Sequence, residues 1–241
     1  MAYPVVLHGP EGEQLNTYTN QRFPLGTQLV QQDGRKFRFT LAGGTSLVRG
    51  EVQQAAANTA NHIGLTAAAM AAGSRSPTQL LGATAATLNE YQGGYVHIGV
   101  TPDGGSYYVV GQHDAVASAG TITLNLAQGH NLQSAWTTDT RVDLIHNPWR
   151  SVIRVPVTTI TQAIVGVAVK PITNAQYGWI QTSGPCAVYG SGTLILGNPA
   201  AYIQVAAAAG PPASAATDFV IGEVMRVNAS TAFSMIFLHL D

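Results

Sequence analysis

A histidine beside an aspartate, two aspartates near a second histidine, a lone cysteine and two glycine-rich turns are the places where this sequence could do chemistry. His113-Asp114 would supply a general base and its orienting carboxylate, but neighbouring residues of an extended chain point to opposite faces and cannot pair directly. Asp139, Asp143 and His146 offer oxygen and nitrogen ligands. Their spacing matches no established metal pattern, and a solvated loop is the stronger reading. Gly190-Ser191-Gly192-Thr193 has the small residues of a phosphate cradle without the lysine and helix that complete one. Gly104-Gly105 likewise lacks the rest of a dinucleotide fingerprint. Cys186 is the single cysteine, so no internal disulfide can form, and it reads as a small buried thiol rather than a nucleophile. The residues therefore predict no catalytic, cofactor-binding or metal site, and no enzyme.

Two groups remain as candidates for recognition. Between Arg22 and Arg49 lie five basic residues, Arg22, Arg35, Lys36, Arg38 and Arg49, against one acid, Asp33. A solvated strand face and a docking site for an acidic protein surface both account for this cluster. Tyr177 and Trp179 flank Gly178, which suggests a bulge or close backbone approach that would aim the two rings. Covering the end of a β core outweighs ligand stacking for this pair, because aromatics mainly supply buried area.

The elements that must carry these residues read as strands. The stretch from Ile164 to Leu196 organises the rest: Val165, Val167 and Val169 share one side, and Trp179 to Gln181 can return beside them as a hairpin. Asp33-Gly34 between Gln28-Leu29-Val30 and Phe37-Arg38-Phe39 predicts another hairpin, with Arg38 facing away from the two phenylalanines. Further strands are expected at 95–100, 106–111, 121–126, 141–145, 152–157, 200–208, 219–228 and 233–240. The alanine-rich segment 47–73 reads as mostly extended, and in 78–90 the threonines suit a strand and the alanines a helix. Residues 1–28 carry little periodicity and read as an extended arm that supplies contacts rather than core. The expected fold is mainly β, an antiparallel sandwich or barrel-like C-terminal domain at 93–241 preceded by an N-terminal arm and β region at 1–92.

Composition restricts the partners. Only 10% of the 241 residues are charged and the net charge is −1, which argues against neutralising the phosphates of nucleic acid. A surface so thinly charged is better explained if much of it lies against other protein. No apolar run approaches the ~20 residues of a membrane span, and the N-terminus lacks the pattern of a secretion signal, so synthesis in the cytoplasm is expected.

Leu25-Gly26-Thr27, Asp33-Gly34-Arg35 with Phe37-Arg38, Asn61-His62, Asn89-Glu90-Tyr91 before Gly93-Gly94, His146-Asn147-Pro148, Gly166-Val167, Tyr177-Gly178-Trp179 with Gln181-Thr182-Ser183-Gly184-Pro185, and Ile221-Gly222 occur in an order that resembles the head-decoration, or cement, proteins of tailed bacteriophages. The resemblance runs from about residue 25 onward. It implies a structural virion protein on the outer surface of a capsid, stabilising it by bridging neighbouring major capsid subunits. It further implies a homotrimer without cofactor, with the basic cluster facing the capsid. The alternative is a phage fibre or spike module in which Trp136, Trp149 or Trp179 stacks on host glycans.

Overall fold

The computed structural model describes residues 6–100, 103–203, 207–211 and 219–241. Among these residues the chain is mainly β, with helix confined to two 3-10 turns, Glu13–Leu15 and Ala60–His62. Contacts divide it into two units: Met1–Ala56 together with Pro148–Asp241, and Ala57–Asn147. This division differs from the boundary expected near residue 93, which falls inside the second unit. Turn residues at 92–94 mark a hairpin approach there, and a composition change is a poor guide when one unit is inserted into another.

The first unit begins with β1 (Val6–His8), β2 (Gln28–Val30), β3 (Lys36–Leu41) and β4 (Val52–Gln54). The second contains β5 (Leu65–Thr66), β6 (Thr78–Leu80), β7 (Tyr95–Ile98), β8 (Tyr107–Gln112), β9 (Thr121–Thr123), β10 (Asn125–Leu126) and β11 (Arg141–Ile145). The chain then returns to the first unit as β12 (Ile153–Arg154), β13 (Ile164–Ala168), β14 (Tyr177–Tyr189), β15 (Pro199–Tyr202), β16 (Ala209–Gly210), β17 (Val220–Arg226) and β18 (Phe233–His239).

In the first unit the sheet runs β1-β2-β3-β14-β18-β17-β15-β16, antiparallel except for the β1–β2 pair. β14, at 13 residues, holds it together: its first half pairs with β3 and β13, and its second half pairs with β18 from Ser183↔His239 to Tyr189↔Phe233. The expected hairpin of β13 and β14 is present, with Val167 opposite Gln181. All five β13 residues are buried, so that strand presents no solvated face. Gly178 is not a bulge; the irregularity in β14 lies between Gln181 and Ser183. What Gly178 provides is room, since a Cβ there would stand 2.7 Å from Cδ1 of Ile172.

The Asp33-Gly34 hairpin forms as the alternation requires. Phe37 and Phe39 are wholly buried on β3 and Arg38 lies on the opposite face. Gly34 takes the left-handed conformation (φ 84°) that closes the turn, and Asp33 Oδ1 accepts from the Arg35 amide at 3.1 Å.

Residues 6–28 do lack a long element, yet the expectation that they add no core is corrected by their packing. β1 pairs with β2, Tyr18 and Tyr177 exchange backbone hydrogen bonds of 2.8 Å in each direction, and Leu7, Tyr18, Phe23 and Leu25 pack on Leu29, Phe37, Phe39 and Trp179. The rings of this N-terminal segment satisfy a need of the sheet, whose aromatic face they cover.

The second unit has a five-stranded antiparallel sheet, β10-β8-β7-β11-β5, and the ribbon β6-β9. Its core is its own: Tyr91, Val96, Ile98, Leu124, Trp136 and Leu144 are buried together. Strand β11 reproduces the expected span, and Ile122, Leu124 and Leu126 face inward as their alternation predicts. The alanine-rich 47–90 region forms short strands and a 3-10 turn; too many Asn, Thr and Gly residues interrupt any helical stripe. Of the strand expected at 200–208, residues 204–206 lie outside the described residues.

Candidate functional site

Strand β18 reads Phe-Ser-Met-Ile-Phe-Leu-His, and its side chains alternate between the two faces of the sheet. Ser234, Ile236 and Leu238 are buried. Phe233, Met235 and Phe237 point the other way and remain 45, 40 and 37% exposed. An antiparallel sheet with one solvated face ordinarily alternates apolar-in and polar-out, so a strand that is apolar on both faces is built to be covered twice.

The neighbouring strands continue this open face. On β17, Glu223 stands opposite Phe237 and Arg226 opposite Met235; the register shift between Val224 and Arg226 also brings Met225, 49% exposed, into the apolar row. On β14, Pro185 and Ala187 stand opposite Phe237 and Met235. A cleft beside Met235 is lined by Leu15, Arg35, Arg49, Pro185 and Ala187. Leu15 is itself 44% exposed.

The five basic residues expected to act together do not converge. Arg35 is consumed within the fold, 2.6 Å from Glu11 and 2.5 Å from Asp33, with its guanidinium over Phe37. Arg38 forms a two-pronged pair with Asp241, at 2.8 and 2.7 Å, donates to the Gly26 carbonyl at 2.9 Å and lies over Trp149. Burial pushes the Asp241 carboxyl up, but the hydrogen bonds and charge of Arg38 outweigh it and hold that group below the usual aspartate range. Arg22 sits over the Tyr18 ring. Lys36 is half-buried on β3, and Arg49 is exposed with no ion pair among the described residues. The sequence count missed Glu11 and Asp241, which are distant along the chain and adjacent in space.

Tyr177 and Trp179 belong to an aromatic cluster. Tyr177 stacks on Phe39 with centroids 5.8 Å apart, Trp179 meets Phe39 edge-on at 5.1 Å, and Phe23 covers Trp179 at 5.6 Å. Trp179 and Trp136 are each 1% exposed, so neither presents a platform to a sugar ring.

The remaining polar candidates are each held separately, with His146 Nδ1 the one ring nitrogen among them left without a hydrogen bond. His113 accepts from the Tyr91 amide at Nε2 (3.0 Å) and donates from Nδ1 to the carbonyl of Asp114, whose carboxylate takes no part. Asp143 accepts from the Gly64 amide at 2.8 Å and faces His97, whereas His146 faces Glu90 at 3.1 Å. Asp139, Asp143 and His146 therefore share no centre, and no group of three ligating side chains capable of holding a metal occurs among the described residues. Burial pushes the Cys186 thiol up to about 12, which keeps it protonated and unreactive.

Sequence reasoning passed over a buried polar hub in the second unit. The Tyr91 ring lies among His62, which bonds its hydroxyl, His113, and His146, stacked at 4.8 Å. His62 Nε2 donates to the Thr84 carbonyl at 2.9 Å. Asp103 is a second such hub, accepting from Ser106, Tyr108 and Trp136 at 2.8, 2.6 and 3.3 Å. The Tyr91 hub joins the 3-10 turn Ala60–His62 to the loops that follow β8 and β11, and the Asp103 hub ties its turn to β8 through Tyr108.

Comparison of the chain with protein-family models, with curated proteins and with solved structures returned no match.

Proposed function

We propose that this chain is a structural protein of a phage particle that sits on the outside of the capsid and stabilises it by bridging neighbouring major capsid subunits. The observation that carries this reading is the open apolar face of β17, β18 and β14 on a chain in which only 10% of residues are charged. Such a face is stable in water only when other protein covers it. The order of turn motifs that resembles the cement proteins supplies the identity of the shell. The candidate for contact with it is Arg49 rather than the whole basic cluster, because Arg35 and Arg38 already have acidic partners. Weak contacts made several times by one oligomer add as avidity, since each later contact is intramolecular. The role proposed is non-catalytic, without cofactor, nucleic acid or membrane. The glycan-binding alternative loses its main support, because two of its three tryptophans lie in the cores.

Electron cryo-microscopy of particles carrying the tagged chain tests the reading. Density for the chain on the head exterior, spanning adjacent capsid subunits, is the expected result. A particle that carries it only at the tail, or not at all, overturns the proposal.

A further inference from the structure

In the Tyr91 hub both ring nitrogens of His62 and His113 are hydrogen-bonded and only Nδ1 of His146 is not, which gives one donor and no second group to hold a ligand, and the cleft beside Cys186 holds a thiol kept protonated by burial. The sheet face carries more, because its shape and its charges both specify an occupant.

We infer that the face formed by β14, β18 and β17 packs against the same face of a second copy of this chain, the two sheets related by a two-fold axis. The inference rests on the reading above only in taking this face to lie against protein; with a second copy covering it, contact with the capsid falls to the rest of the thinly charged surface and to Arg49. The apolar row is continuous along β18, where Phe233, Met235 and Phe237 succeed one another, and it widens onto Met225, Pro185 and Ala187. Three strands about 4.8 Å apart and seven residues long at about 3.4 Å per residue span roughly 340 Å² per copy, about half of the ~800 Å² each partner contributes to a standard interface, so the pairing is expected to be weak unless the flanking segments join it.

The charges make the face complementary to itself. Glu223 and Arg226 are both exposed on β17, one level with Phe237 and the other with Met235, and neither has an ion pair among the described residues. A two-fold axis midway between the two sheets and parallel to them, running across the strands at the level of Ile236, lays β17 antiparallel over its equivalent. Glu223 of each copy then meets Arg226 of the other, and Phe237 meets Met235, a sulfur–aromatic contact made twice. A patch with one acid and one base on the same strand, placed symmetrically about its apolar centre, is what an isologous interface requires.

Light scattering and sedimentation of the full chain at micromolar concentration test this. The expected particle has twice the chain mass of 25.2 kDa. Met235→Glu and Phe237→Ser, at exposed positions, are expected to leave the thermal midpoint of the diluted protein unchanged and to weaken association at least tenfold. Glu223→Arg alone and Arg226→Glu alone are each expected to weaken it, and the double exchange to restore it. A wild-type chain that stays monomeric throughout, variants that associate as well as the wild type, or a double exchange no better than the singles overturns the inference. A trimer, which the cement resemblance implies, overturns the two-fold pairing while leaving the capsid reading intact. A clean dimer that never appears on particles does the reverse.

Discussion

A buried glutamate and a half-buried one show how the same side chain can oppose or support the fold. Burial pushes the Glu90 carboxyl up, yet hydrogen bonds from His146 and from the amide and hydroxyl of Thr87 outweigh it and hold the group at about 2. Its folded value is depressed, so its contribution is complete above the ordinary glutamate range and is lost as pH falls from there toward about 2. Glu90→Gln is expected to cost about 1.5–3 kcal/mol at neutral pH and much less at pH 2, read from urea midpoints across that range. Glu51 is the opposite case. Burial raises it, and Arg154 Nε, although 2.7 Å away, is not aligned to make a hydrogen bond. Its ionised form opposes folding, and that penalty disappears as pH falls through its raised value. Glu51→Gln is therefore expected to leave stability at pH 7 within about 1 kcal/mol of wild type, or to increase it. Trp179→Ala, by contrast, empties the centre of the aromatic cluster and is expected to cost about 3–5 kcal/mol in chemical denaturation.

At the scale of elements, the N-terminal segment is the informative case. An arm serving only to grip a partner could be removed without loss, whereas this one supplies Leu7, Tyr18, Phe23 and Leu25 to the face around Trp179. Deleting residues 1–28 is expected to lower the thermal midpoint of the first unit by several degrees and to raise Trp179 fluorescence exposure. An unchanged midpoint would return the segment to the status of an arm. Sequence alone showed the hairpin at Asp33-Gly34, the strand at 141–145 and the alternation at 121–126, because turn chemistry and period-two patterning are local. It also marked 233–240 as a strand, but not that both faces of it are apolar for different reasons: Ile236 and Leu238 serve the core, and Phe233, Met235 and Phe237 serve the outside.

At the scale of the whole molecule, each of the four clusters of buried apolar residues found among the described residues lies within one unit: one within 65–144 and the other three within 29–55 and 152–238. A unit with its own core can fold by itself. Replacing 57–147 with a short glycine-serine bridge from Ala56 to Pro148 is expected to leave a folded first unit, with cooperative unfolding followed by circular dichroism. Loss of that cooperative transition would show that the inserted unit is part of the same folding event.

Composition and periodicity by themselves determined that the chain is mainly β, where most of its longer strands run, and that its surface is short of charge, since these depend on residue type and on neighbours two positions apart. Only the tertiary structure decided which charges are spent internally, as Arg38 on Asp241, and which remain, as Glu223, Arg226 and Arg49. It alone also set the division into units and the joining of β14, β18 and β17 into one open face. The physical reason is that pairing between strands and between opposite charges is settled by distance in space, and residues 38 and 241 are neighbours only after the sheet has closed around β14.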